Sequence, residues 1–132
     1  MMGILIAEQD LDSRRQMAEM FIEAGYNVIV TTSAADALHG ILKKTAQVVL
    51  LGSEFDELNA ADLIPLLKQC NRNLTIIFVS ADTSVQVMRR LRSEGIFYHA
   101  LKPVNPEDRE EIYQAVKCAF ENLRHVQPAL AK

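Results

Sequence analysis

The sequence predicts an α/β protein of (βα)5 type, a doubly wound parallel five-stranded sheet with helices on both faces. Three observations predict it. Five short runs of β-branched or apolar residues recur, at 3–7, 27–31, 47–51, 74–80 and 96–101. These runs are continuous rather than alternating, the pattern of strands covered on both faces. The segments between them place apolar residues at helical spacing, and strands alternating with helices imply right-handed crossovers and parallel pairing.

The first strand, "GILIA" (3–7), leads through "AEQD" to a helix for which Asp10 is a natural cap. Met17, Met20, Phe21 and Ala24 fall at i, i+3, i+4 and i+7 and give that helix its apolar stripe. After the second strand, "NVIVT" (27–31), Ser33 with Asp36 three residues on resembles a capping box, and the helix that follows buries Leu38, Ile41 and Leu42. The third strand, "QVVLL" (47–51), ends at Gly52. Leu63, Leu66, Leu67 and Cys70 repeat the helical spacing, and because Pro65 has no amide hydrogen its helix is expected to start near Ala61 or Asp62. Behind the fourth strand, "LTIIFVS" (74–80), the helix "TSVQVMRRLRSEG" has a weaker stripe of Val85, Val87, Met88 and Leu91. The fifth strand, "IFYHAL" (96–101), precedes the clearest helix start, with Asn105 as cap, Pro106 in the first helical position, and Glu107, Asp108, Glu110 and Glu111 near the positive end of the dipole. That helix buries Ile112, Ala115, Val116, Ala119, Phe120 and Leu123. The expected domain is 1–124, with "HVQPALAK" (125–132) a frayed end or the stub of a linker.

Composition narrows the classes. A chain of 132 residues is one domain's length, and 49 % apolar with 23 % charged residues is ordinary for a globular protein. Fourteen basic and 17 acidic residues leave a net charge of −3, which argues against a protein that coats nucleic acid, so no direct nucleic-acid contact is expected. No apolar run approaches the roughly 20 residues of a membrane helix, and "MMGILIAEQD" lacks the basic region of a secretory signal. The expectation is a cytoplasmic protein without a membrane partner. Cys70 and Cys118 have no metal-type spacing and read as small apolar core or near-core groups in a reducing compartment.

Parallel α/β sheets keep their working residues at the C-terminal ends of the strands, here "AEQD", "TTS", "LGSEFD", "SAD" and "LKP". With these residues in view, the chain from about Ile4 to Leu123 resembles the receiver domain of bacterial response regulators. Glu8 and Gln9 stand at that family's acidic pair, Gly52 at its phosphoacceptor aspartate, Ser80 at the hydroxyl of the fourth strand, and Lys102 and Pro103 at the lysine and proline after the fifth. The resemblance implies a flavodoxin-like sheet of strand order 2-1-3-4-5 and a cis bond between Lys102 and Pro103. It also implies a switch aromatic on the fifth strand, a position held here by His99. A histidine there titrates near neutrality or is merely packed.

The departures fall on the chemistry. Glycine cannot be phosphorylated, and the acidic pair retains one carboxylate, Glu8, beside neutral Gln9. Mg²⁺ needs near-octahedral oxygen ligands and is held chiefly through carboxylates, so the site is left at most a weak Mg²⁺ at Glu8. Ser53, next to Gly52, points to the opposite face of its strand. Lys102 is expected to face Glu8 and join the first and fifth strand ends as an ion pair of modest net worth.

The sequence therefore reads as a degenerate receiver, not an enzyme and without a cofactor, that signals through protein contacts independent of phosphorylation. Implied partners are a sensor kinase, an effector domain, or a second copy joined through the fourth helix, fifth strand and fifth helix. The expected interaction face comprises Val87, Met88, Arg89, Arg90, Leu91 and Tyr98, a mixture of arginine, methionine and aromatic residues that interfaces favour. A solvated basic helix is the plainer alternative for this segment, and for Arg14 and Arg15 on the first helix. A competing reading is a receiver that still accepts a phosphoryl group, with Mg²⁺, through a rearranged acidic site of Glu8, Asp10 and Glu54. A small-ligand binder on the same sheet is a third, although "AEQDLDS" is not a glycine-rich phosphate loop.

Overall fold

The computed structural model describes residues 2–53, 55, 58–81 and 84–130, the side chains of 124–130 excepted. Five strands, β1 (Gly3–Ala7), β2 (Asn27–Thr31), β3 (Val48–Leu51), β4 (Thr75–Val79) and β5 (Tyr98–Ala100), alternate with five helices, α1 (Leu11–Glu23), α2 (Ala34–Leu42), α3 (Ala60–Cys70), α4 (Val85–Ser93) and α5 (Pro106–Leu130). The strands form one parallel sheet in the order β2-β1-β3-β4-β5, as the sequence implied. No helix among the described residues is long and apolar enough to cross a membrane.

Alternation along each strand sorts the core into two layers. Ile4, Ile6, Val48, Leu50, Ile77 and Val79 meet Met17 and Phe21 of α1 and Ile112, Val116 and Phe120 of α5. Leu5, Ala7, Val49, Leu51, Ile76 and Phe78 meet α2, α3 and Leu91 of α4 on the other face. Continuous apolar runs were expected to be covered on both faces throughout, and β1 and β3 are. The edge strand β2 is not: Ile29 and Val30 are exposed. β5, at the other edge, has its Tyr98 exposed.

Several helical stripes also differ from expectation. Ala24 caps the end of α1 and is exposed, Leu42 and Leu66 face solvent, and Ala37 and Ile64 are buried with Ile41 and Leu67. At 100° per residue Leu66 stands roughly 110° from the centre of the stripe made by Ala60, Leu63, Ile64 and Leu67. The start of α3 is Ala60, one or two residues before the expected position, because Asn59 caps it and accepts from the Asp62 amide at 3.0 Å. Asp10, Ser33 and Asn105 cap α1, α2 and α5 as anticipated, each accepting from the amide three residues on. The backbone of α5 stays helical to Leu130, past residue 124, where the tail was expected to begin. Cys70 is half-buried and Cys118 exposed, so the latter is not a core group.

Gly25 after α1 and Gly95 after α4 take positive φ values of 94° and 87°, the left-handed conformation that closes a helix. After α2 the same role falls to Lys44, at φ 58°, whose amide bonds Ile41 O at 2.9 Å. A side chain pays a steric penalty there that glycine avoids, partly offset by the greater flexibility of unfolded glycine. Lys44→Gly should raise stability by about 0.5–1 kcal/mol in urea unfolding, and Lys44→Ala should leave it near the starting value.

Candidate functional site

At the C-terminal edge of the sheet, β1 and β3 each run one residue beyond their ladders. The Gly52 amide bonds Ala7 O at 2.8 Å and the Glu8 amide bonds Thr31 O at 3.1 Å. Since Ala7 pairs with Leu51, this register puts Glu8 beside Gly52. A β-carbon at Gly52 would lie 2.5 Å from Glu8 Oε2, 2.8 Å from Cδ and 2.9 Å from Oε1. The Glu8 carboxylate thus fills the space that a side chain at position 52 would take.

Glu8 is only 3 % exposed. Its Oε2 accepts from the Asp10 amide at 3.2 Å, and its Oε1 has no hydrogen-bond partner. Burial pushes its pKa up, against the backbone amide of Asp10, the charge of Lys102 and the amide of Gln9, which all favour the carboxylate. The expected Glu8–Lys102 ion pair is not formed within 4.0 Å; Lys102 is half-buried and acts on Glu8 only through its charge. The reason is the inward turn of Glu8 onto Gly52 and the Asp10 amide. The Lys102–Pro103 bond, expected as cis, is trans, since the described residues contain no cis bond. Pro103 is buried in a tight turn closed by Val104 N–H donating to Lys102 O at 2.8 Å, which suits the fixed φ of proline.

The remaining residues are dispersed. The side-chain amide of Gln9 reaches Thr32 O at 3.5 Å. Asp10 is committed to capping α1: Ser13 donates its hydroxyl at 2.6 Å and its amide at 3.2 Å, holding the Asp10 carboxyl below its ordinary value. Glu54 and Asp56 lie outside the described residues. Ser80, 1 % exposed, and Ser53 line a cleft toward α3 and α4 with Phe78 and Arg90. Among the described residues no group of three or more histidine, cysteine or acidic side chains is placed to hold a metal ion. Sequence reasoning missed Arg14, which donates to Glu8 O at 3.1 Å and Gln9 O at 3.3 Å and clasps the end of β1.

On the other side of α4 the half-buried His99 packs its ring on Phe78, with centroids 5.3 Å apart. His99 lines an open groove of about 240 Å³ with Met88, Arg92, Ile96, Phe97 and Tyr98. Phe97 and Tyr98 are about two-fifths exposed, at 41 % and 39 %. Burial raises the Tyr98 pKa, and the neighbouring Glu111 carboxylate of α5 raises it further. The expected interaction face divides between two stripes of α4. Leu91 is 1 % exposed and belongs to the core, and Arg90 turns to Asp62 of α3 at 3.1 Å, leaving Met88, Arg89 and Tyr98 toward solvent. Positions 87 and 91 share one stripe and 88 and 92 the next, so no single surface includes them all.

The family model of the response regulator receiver domain matches residues 4–117. Among curated proteins, the DNA-binding transcriptional regulator NtrC of Bradyrhizobium sp. (strain RP501 Parasponia) is 28 % identical over 101 residues, which cover 76 % of this chain and 21 % of that protein. Nodulation protein W of Bradyrhizobium diazoefficiens is 23 % identical over 121 residues, 92 % of this chain and 52 % of that one. The chain thus spans about a fifth to about half the length of these relatives. Among solved structures, the chemotaxis response regulator CheY4 of Vibrio cholerae superposes with a TM-score of 0.77 at 19 % identity, covering 88 % of this chain and 98 % of that one. A response regulator receiver domain protein from Clostridium thermocellum gives 0.83 at 16 % identity, covering 96 % and 99 %.

Two outcomes follow from the burial of Glu8. Its folded-state pKa lies above the ordinary 4.5, so its charge costs nothing at lower pH and progressively more as pH rises from 4.5 through the raised value. Thermal unfolding should therefore show the wild type losing stability relative to Glu8→Gln across that interval. Gly52→Ala should displace the flexible carboxylate toward water, and a carboxyl-detected NMR titration should then find the Glu8 pKa nearer its ordinary value.

Proposed function

The chain belongs to the response regulator receiver family, and from that membership we propose that it is a receiver which signals by protein contact without being phosphorylated. One observation carries the reading: the position of the acceptor aspartate is Gly52, and among the described residues the carboxylate nearest it, that of Glu8, is buried against it with one oxygen bound to a backbone amide. A nucleophile must present a lone pair to phosphorus, and neither Glu8, closed off from solvent, nor Asp10, bound to Ser13, is placed to do so. On this reading the site holds no Mg²⁺ and catalyses nothing.

Signalling then rests on surfaces. The groove along the outer stripe of α4 joins Met88 and Arg92 to the exposed rings of Phe97 and Tyr98, with Arg89 exposed on the same helix. Aromatic, methionine and arginine groups with partial exposure are the composition of binding hot spots. The partner is a protein of a two-component or transcriptional pathway, such as a sensor kinase, an effector domain or a second copy of the chain. The similarity over 101 residues to a DNA-binding transcriptional regulator, NtrC, supports the transcriptional alternative.

Incubation with Mg²⁺ and acetyl phosphate should leave the intact mass unchanged. A stoichiometric gain of one phosphoryl group, by contrast, would show an acceptor at work and overturn the proposal.

A further inference from the structure

A cleft of about 290 Å³ opens between α3 and α4, at the C-terminal ends of β3 and β4. It is a recess rather than a surface dimple, because Phe78, Ser80 and Leu91 border it while being only 2 %, 1 % and 1 % exposed. The space exists because Ser53, Ala60 and Ala61 are small where α3 faces Val87 and Leu91 of α4. Among the described residues of the wall, Arg90 is the one with a charged side chain. It pairs with Asp62 at 3.1 Å, but the two side chains are 55 % and 47 % exposed, so the pair is weak and exchangeable.

We infer that this cleft binds a small organic anion with a flat apolar body, of the monocyclic aromatic carboxylate class. A cleft of about 290 Å³ is at the small end of ligand sites, which suits a single-ring molecule. Phe78 offers a ring for offset or edge packing, and Val87, Leu91, Ala60 and Ala61 supply the apolar walls. The Arg90 guanidinium is the complementary charge: a ligand carboxylate takes the bidentate place that Asp62 half occupies. Ser53 lines the cleft at the end of β3.

Occupancy has a route outward. Arg90 and Leu91 sit on the same short helix as Met88 and Arg92, which line the groove on its opposite flank. Leu91 is the single buried residue of α4, so a ligand that grips Arg90 and Leu91 acts on the helix's main anchor. This coupling to the groove rests on the reading proposed above; the binding itself does not.

Benzoate is the probe. Titrated into ¹⁵N-labelled full chain, it should shift the amide resonances of Ser53, Ser80, Arg90 and Leu91 saturably, with a dissociation constant of about 1 mM for a ligand of that size. Benzyl alcohol, which lacks the charge, and acetate, which lacks the ring, should each bind at least about tenfold more weakly. Arg90→Gln, an exposed position, should weaken benzoate about tenfold or more, and Ala61→Leu, which fills the cleft, should abolish the shifts. Absence of saturable shifts in the wild type, or equal binding by Arg90→Gln, overturns the inference, as does unchanged binding by folded Ala61→Leu. Should Ala61→Leu fail to fold, the wild type and Arg90→Gln still decide. A phosphorylated wild type would sink the previous proposal and leave this one to the titration.

Discussion

A carboxylate with one oxygen on the Asp10 amide and the other without a hydrogen-bond partner lies against the α-carbon of Gly52. Such a group is costly to bury, and it stays because its backbone amides and the distant charge of Lys102 offset part of the desolvation. The contact is possible only because residue 52 has no side chain, so the glycine and the buried glutamate are two aspects of a single departure. Everything else at this edge follows from it. With Glu8 turned inward, Lys102 forms no ion pair among the described residues, and Asp10 is left to cap α1.

The sheet separates this altered acidic corner from the cleft and the α4 groove. Residues 48, 50 and 52 fall on the side of α1 and α5, whereas 51, 53, 78 and 80 fall on the side of α3 and α4, because successive side chains alternate across a strand. The Glu8–Gly52 contact on one side is therefore separate from the packing on the other. The alternation also puts Ser53, adjacent to Gly52 in sequence, in the lining of the cleft with Ser80.

Strand positions were legible because continuous apolar runs and strand–helix alternation are strong, local signals, whereas the order of strands in the sheet came from the family resemblance alone. Three caps, Asp10, Ser33 and Asn105, were legible for the same reason: each acts on an amide three residues away. Helix faces were less so. In α3 the residues Leu63, Ile64, Leu66 and Leu67 satisfy more than one helical stripe, and only the sheet beneath decides that Leu66 turns outward. Edge exposure of β2 is likewise a property of the assembled sheet and not of "NVIVT". The identities at the site could be read, including the glycine, but the inward turn of Glu8 could not. It depends on an absent side chain on a neighbouring strand and on a loop amide, neither of which leaves a periodic trace.

α4 is where these constraints meet. Its apolar stripe is short, with Leu91 buried, Val87 and Met88 half-buried and Val85 65 % exposed, so little apolar surface ties it to the sheet. Clefts flank it on both sides, and the Arg90–Asp62 pair that bridges it to α3 is too exposed to hold it firmly. An element with one buried anchor and two unfilled flanks has low local stability, and differential contacts on either flank are enough to bias its position. Whatever contacts those flanks acts on a helix with little apolar anchorage of its own, Leu91 being its one buried residue.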